Sequence, residues 1–387
     1  MYKRQPRYGG SLLTSDVNIG NQSGKDWADD IITELKGMEN VVVKNRSQIF
    51  GYYDHNMLVM SERLTDHLPK SEKYTPKQRM WYIRAKQVVI SSGSIERPIV
   101  FGNNDTPGVV LASAAKEYMK VYGVLVGKKP VIFTNNDSAY ETAIEFKKNN
   151  INPIVLDSRK NPQSEIIKEA LSLGIDVKFS HVVVTAKGYK KVKSCDIAMI
   201  SDNKENLIDI SNIQCDCICV SGFWTPTIHL ASQSGSKTKF MEDIDAFIPD
   251  KSKQKEITLG SANGIFTLDE TLKTSFQKGY ELSKEITNKD NKLQSPQVSE
   301  KQHSKHDKFW CVPLPNGKKY KRFLDFQNDV TVSDIELALR EGYRSIEHVK
   351  RYTTLGMATD QGRTSNLNGL QLVLSLIHIS EPTRLVS

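Results

Sequence analysis

The sequence predicts an α/β chain in which one nucleotide-binding unit is split by a second and followed by a small helical module. Three observations predict this. An apolar strand enters a small-residue turn over Met80–Pro98, and a strand–helix–strand unit runs from Lys129 to Asp157. A second strand–turn–helix, Ile257–Leu268, reads as the return to the first unit. The 387 residues suffice for two or three domain cores. With 38% hydrophobic and 25% charged residues the chain is neither disordered nor a fibrous repeat. It has no apolar run near the roughly eighteen residues that span a bilayer, and no signal-peptide core, so a soluble, cytoplasmic protein without membrane contact is expected. The charge of +8 is scattered, and its densest part, around Lys251–Lys308, alternates with acids, so nucleic acid is not an expected partner. Five cysteines fit a reducing compartment.

Taken in order, Tyr8-Gly-Gly-Ser-Leu-Leu13 reads as a turn allowing close backbone approach to a ligand. A helix is predicted over Asp26–Met38, from Trp27, Ile31, Ile32 and Leu35. Strands follow at Val41–Lys44, Ser47–Tyr53 and Met57–Met60, then the run Met80–Ile90. That run enters Ser91-Ser-Gly-Ser-Ile-Glu-Arg-Pro98, where many flavoprotein reductases read Ala-Thr-Gly…Arg-Pro, at a strand's carboxyl end that can meet a dinucleotide. The inserted unit reads as strand Lys129–Thr134, helix Ser138–Lys148 and strand Pro153–Leu156 ending in the acid Asp157. Its turn, Thr134-Asn-Asn-Asp-Ser-Ala139, has no glycine, and Asp137 would repel a pyrophosphate. A scaffold with a lost nucleotide site is therefore expected. Further strands are predicted at Ile175–Phe179, His181–Val184, Ile197–Ile200 and Cys215–Val220. Cys215, Cys217 and Cys219 alternate along the last of these, which places them on one face as apolar packing rather than a thiolate metal site. Ser221–Pro226 closes the insertion. Gly260–Gly264 then precedes a helix starting near Leu268, whose free amides could face a cofactor. Lys284–Lys308 reads as a solvated linker with His303 and His306 at the surface.

The last module, with a helix over Val332–Glu341 capped by Thr331 or Ser333, resembles a small ferredoxin-like helical domain (BFD type). In that pattern the cluster cysteines fall on Asp325, Gln327, Asp360 and approximately Ser365, so no Fe–S cluster is expected. The predicted organisation is 6–126 for the first, N-terminally truncated NAD-binding domain and 127–228 for the inserted Rossmann-like domain. The first domain returns over 229–290, with a linker at 291–316 and the degenerate [2Fe-2S] module at 317–372. Met1–Gln5 and Ser375–Ser387 resemble translated sequencing-adapter sequence. On that reading 1–5 and 375–387 are artefacts, His378 and Arg384 carry no function, and the charge falls to about +6 on loss of Lys3 and Arg4.

Gly-Gly-Ser-Leu-Leu, Ser92–Gly108, Phe133–Tyr140, Gly-Ser-Ala-Asn-Gly and Lys350–Gly362 occur together and in order. The combination closely resembles the alpha subunit of heterotetrameric sarcosine oxidase, from Pro6 to about Val373. The resemblance implies a two-dinucleotide-binding-domain, flavoprotein-reductase-like (FAD/NAD(P)-binding) fold. It implies a complex that oxidatively demethylates sarcosine to glycine, reducing O2 to H2O2 and, with tetrahydrofolate, forming 5,10-methylenetetrahydrofolate. It further implies beta, gamma and delta partner subunits, FAD and FMN mainly on or at beta, NAD on alpha, and folate in a C-terminal domain beyond Gly369. NAD contacts carry over onto Ser11, Ile49, Ser261 and Leu268. A first strand and its glycine-rich turn are expected before Tyr8, so the fragment is expected to be inactive alone, and no catalytic or metal residue is assigned. The alternatives are an alpha-type subunit of a proline or opine dehydrogenase and a non-catalytic assembly subunit.

Overall fold

The structure, a computed structural model, describes residues 7–70, 73–288, 290, 293–301 and 303–377. The expected adapter residues 1–5, His378 and Arg384 lie outside the described residues. The chain divides into two compact units. One comprises the residues up to Ser94 with Pro226–Glu300; the other comprises Ile95–Thr225 with the residues from Lys301 onward.

The unit containing the N-terminal residues is built on the helix Gly24–Gly37 and the antiparallel strands Ser47–Tyr53, Met57–Arg63 and Gln78–Arg84. Ser23 caps the helix, its Oγ accepting from the Asp26 amide at 3.1 Å. The run Met80–Ile90 is two strands rather than one. Gln78–Arg84 ends the antiparallel sheet, and Val88–Ile90 instead pairs in parallel with Glu256–Thr258. This parallel pair ties the return segment to the first part of the chain. Val41–Lys44 forms no strand.

The other unit has three layers. A parallel sheet of five strands, in the order Asp176–Phe179, Ile154–Asp157, Pro130–Thr134, Cys217–Ser221, Val109–Leu111, forms the centre. The helices Ala112–Tyr122, Ser138–Lys148 and Glu165–Ser172 bury their apolar stripes on one face, and the antiparallel sheet His181–Gly188, Val192–Ile200, Leu207–Gln214 covers the other. Residues 95–126, expected in the first domain, lie in this unit, with Val109–Leu111 as the edge strand of its sheet. The three cysteines also divide, contrary to their alternation. Cys217 and Cys219 pack toward the helices. Cys215, which precedes the strand, joins Cys195 in the cluster on the opposite face. All are buried and free.

The small module packs the helices Val332–Arg340, Ile346–Thr353 and Asn366–Ile377 around Leu324, Val349, Leu355 and Val373. Thr331 forms a capping box with Asp334. Residues 375–377, read as the start of an artefact, continue the last helix. Among the described residues no helix is long and apolar enough to cross a membrane.

Candidate functional site

The N-terminal unit holds all four expected NAD residues. Gly9, at φ 112°, takes a conformation that only glycine adopts without strain, and with Gly10 at φ 58° it turns the chain into Gly10–Leu13. Ser11 stands exposed on this turn, which Leu12 anchors in a cluster with Ile19, Ala28, Leu268 and Leu272. Leu268, the first residue of the helix Leu268–Thr287, is therefore held in the same cluster as the Gly-Gly-Ser turn. Ser261 lies on the turn Gly260–Asn263 leading into that helix. Gly93, at φ 79°, abuts it, since a Cβ there would stand 3.9 Å from the Ser261 hydroxyl oxygen. Ile49 belongs to a separate cluster with Tyr52, Leu58, Val88, Ile90 and Ala231.

Two details of this unit were not legible in the motifs. The amides of Leu268 and Asp269, expected to be free, donate to Glu300 Oε2 at 2.7 and 3.1 Å. A carboxylate is the favoured partner of a helix N-terminus, and this one comes from beyond the helix. A cavity of about 450 Å³ lies beside the glycine turn, lined by Tyr8, Leu13, Lys25, Asp29 and Lys36 among others; none of the four NAD residues lines it.

The inserted unit has the strand ends of a dinucleotide fold and a different filling. Thr134 and Asp157 end adjacent parallel strands. Asn135, Asn136 and Asp137 follow the first strand with their side chains buried. Arg159 Nη2 bridges Asp137 at 2.8 Å and Asp157 at 2.7 Å, while the Tyr140 hydroxyl donates to Asp157 at 2.8 Å. Burial pushes the Asp137 carboxyl up, but Arg159 and the Ser304 donors outweigh it and hold the carboxyl below its ordinary range. Those donors come from the stretch read as solvated linker. Ser304 gives its amide and hydroxyl to Asp137 at 2.6 and 2.7 Å, and accepts from Arg159 Nη1 at 2.8 Å. His306, expected at the surface, is buried, its ring stacked on Phe223 with centroids 3.9 Å apart. Arg97, from the expected cofactor-facing turn, donates to the Gly222 carbonyl at 2.6 Å and lies 4.1 Å from the Trp310 ring centroid.

In the small module the four positions aligned with cluster cysteines lie in one hydrogen-bonded region. Asp325 Oδ1 accepts from the amides of Gln327 (2.9 Å) and Asn328 (3.2 Å). Its Oδ2 accepts from the Gly356 amide (2.8 Å) and the Ser365 hydroxyl (3.4 Å). Gln327 accepts from Thr359 at 2.8 Å, and Asp360 from the Gly362 amide at 3.0 Å. These oxygen groups do not fit an iron–sulfur cluster, which needs thiolate donors. Among the described residues no group of three or more His, Cys, Asp and Glu side chains could hold a metal ion.

Comparison with known proteins agrees with both parts of the fold. A solved L-proline dehydrogenase from P. horikoshii superposes with a TM-score of 0.69 over 97% of this chain and 68% of its own, at 19% identity. Thioredoxin reductase from T. acidophilum superposes with a TM-score of 0.51 over 68% of this chain, at 13% identity. The two establish the flavoprotein-reductase-like fold. Residues 319–381 match the family model of the sarcosine oxidase A3 domain. Sarcosine oxidase subunit alpha of Rhizobium meliloti (strain 1021) is 34% identical over 94% of this chain, and that of Corynebacterium sp. (strain P-1) is 32% identical over 97%. The chain spans 36% and 40% of the length of those relatives. Across the portion it spans, this chain is similar to sarcosine oxidase subunit alpha, and its residues 319–381 match the A3 domain model of sarcosine oxidase.

Proposed function

We propose that the chain acts as part of the alpha subunit of a heterotetrameric sarcosine oxidase. The complex would oxidatively demethylate sarcosine to glycine, with O2 reduced to H2O2 and, in the presence of tetrahydrofolate, 5,10-methylenetetrahydrofolate formed. The observation that carries this reading is the 34% identity to such a subunit over 94% of the chain. In this reading the chain supplies part of an NAD site and a contact for the beta subunit, alongside gamma and delta. The sarcosine site and the FAD and FMN lie on or at beta, and folate binds elsewhere in alpha. Ser11 would offer its hydroxyl to a phosphate from a turn that two left-handed glycines open. Ser261 would bring the Gly260–Asn263 turn to the dinucleotide, Leu268 would pack beside it, and Ile49 would lie against the adenine. NAD, when bound, supplies a dinucleotide whose phosphates need such donors. No residue of this chain is assigned a catalytic role.

The test is to purify the full-length alpha subunit with its beta, gamma and delta partners and to assay sarcosine-dependent peroxide and folate product. A second reading, an alpha-type subunit of a proline dehydrogenase, is favoured by the match to the P. horikoshii enzyme over 97% of the chain. Turnover of proline without turnover of sarcosine would replace the first reading with the second.

A further inference from the structure

We propose that the mouth of the inserted unit is a clamp for the chain's own peptide. Residues Ser304–Phe309 occupy the place a dinucleotide takes in this fold, and free nucleotide has no access while they are docked. Ligands of doubly wound sheets bind beyond the carboxyl ends of the strands, and Thr134 and Asp157 are two such ends. The peptide meets both. After the first strand, Asn135 binds it as one strand would another. The Asn135 carbonyl accepts from the Asp307 amide at 2.9 Å, and its side-chain amide donates to the carbonyls of Asp307 and Phe309 at 2.8 and 3.3 Å. Beyond the second strand, Arg159 stays paired with Asp157 and also reaches Ser304 Oγ and the Lys305 carbonyl at 2.8 and 3.3 Å.

Charge selects the occupant. Asp137 and Asp157 share one guanidinium, all three buried, so two carboxyl groups face a single cation at the mouth. A pyrophosphate would add anions to it, whereas a peptide brings N–H and O–H donors. Ser304 delivers two of these to Asp137. The ends of the peptide are fastened as well. Lys301 pairs with Glu169 and Lys204 with Asp307. Phe309 and Val312 are buried in the unit's main core, and the Val312 amide donates to the Val100 carbonyl at 2.8 Å. The glycine-free turn and the docked peptide thus belong together: side chains fill the space a phosphate would need, and the chain returns to satisfy them.

Hydrogen exchange on the full chain, read by mass spectrometry, tests the clamp. Wild-type amides within 304–309 are expected to exchange at least about tenfold more slowly than an unstructured peptide of the same sequence. Ser304→Ala removes the hydroxyl contacts and keeps the backbone, and Asp137→Asn removes the charge. Each should speed exchange in 304–309 about tenfold, with the strands 181–200 unchanged; if Asp137→Asn does not fold, Ser304→Ala decides. NAD, NADP and AMP at millimolar concentration should alter exchange neither in 304–309 nor in 131–137 of the wild type. Free-peptide exchange in the wild type, variants that exchange like it, or nucleotide-dependent change in either segment would overturn the clamp. The Ser304→Ala and Asp137→Asn measurements involve no NAD, so their outcome does not depend on the proposed enzyme function.

Discussion

The two units begin from related strand–turn–helix plans and diverge at the turn. In the N-terminal unit the turns are glycine, with Gly9, Gly10, Gly260 and Gly264 at positive φ, and Ser11 stands exposed. In the inserted unit the corresponding turn is Asn135-Asn136-Asp137, with every side chain buried and bonded within the same unit. The difference teaches what a glycine contributes at such a turn. It withholds a side chain, and so leaves space beside the backbone. Once a side chain stands there, burial demands that its polar atoms be satisfied, and the protein must supply the partner itself.

The sharpest way to break this comparison is to remove the cation that holds the filled turn together. Arg159→Ala leaves Asp137 and Asp157 buried without their shared partner, and losing one member of such a group costs about 3–5 kcal/mol. A loss of that size in the unfolding free energy of the inserted unit, read from urea titration, is expected. A change below about 1 kcal/mol would mean that water already reaches the turn and that it is not filled from within. A smaller effect is expected in the helical module, where a buried carboxylate is satisfied without any cation. Asp325 there accepts from three backbone amides and Ser365. Asp325→Ala would strand several of these donors at a cost of about 2–3 kcal/mol, read as a lowered thermal midpoint for the module. An unchanged midpoint would show that the loop Leu355–Ser365 holds its shape without the carboxylate.

How far the sequence revealed this follows from where each signal resides. The strand Pro130–Thr134, the helix Ser138–Lys148 and the acid Asp157 were legible because periodicity and one terminal residue define them. The missing glycines at 134–139 and the missing cysteines at 325, 327, 360 and 365 could be read as absences. What replaced them could not. Ser304 lies 167 positions from Asp137 and Glu300 lies 32 from Leu268, so neither contact leaves a local pattern. The polar, mixed-charge composition of 284–308 favours a solvated linker, yet His306 is buried by one aromatic partner, Phe223, that only the fold supplies. Cys215 fails its alternation for a similar reason: it lies outside the strand, so the period of two does not govern it.

His306 also gives the comparison a pH dependence. Burial, and then the positive charges of Arg97, Lys305, Lys308 and Arg159, lower its ring to about 4. An undocked histidine titrates near 6.5. Between these values the released peptide takes up a proton that the docked one refuses, so docking weakens as pH falls through that window and is constant above it. Exchange in 304–309 should accelerate from pH 6.5 toward pH 4 once corrected for the intrinsic rate, and His306→Phe should flatten the profile while keeping the stack on Phe223. A profile that His306→Phe leaves unaltered would show that another group carries the acid response.

The smallest effect asks whether the glycine turn is open in the sense that matters for function. If the N-terminal unit takes NAD, Ser11 contributes one hydroxyl donor to a phosphate, worth about 1 kcal/mol or roughly fivefold in affinity. Calorimetric titration of NAD into the full-length alpha subunit should show that loss for Ser11→Ala and none for Ser304→Ala, because the second hydroxyl already serves Asp137. Ser11 is exposed and Ser304 is committed to Asp137, and the pair of titrations separates the two uses. Weaker NAD binding by Ser304→Ala with an unaffected Ser11→Ala would reverse the assignment: the filled mouth would be the nucleotide site, and the glycine turn only a bend in the chain.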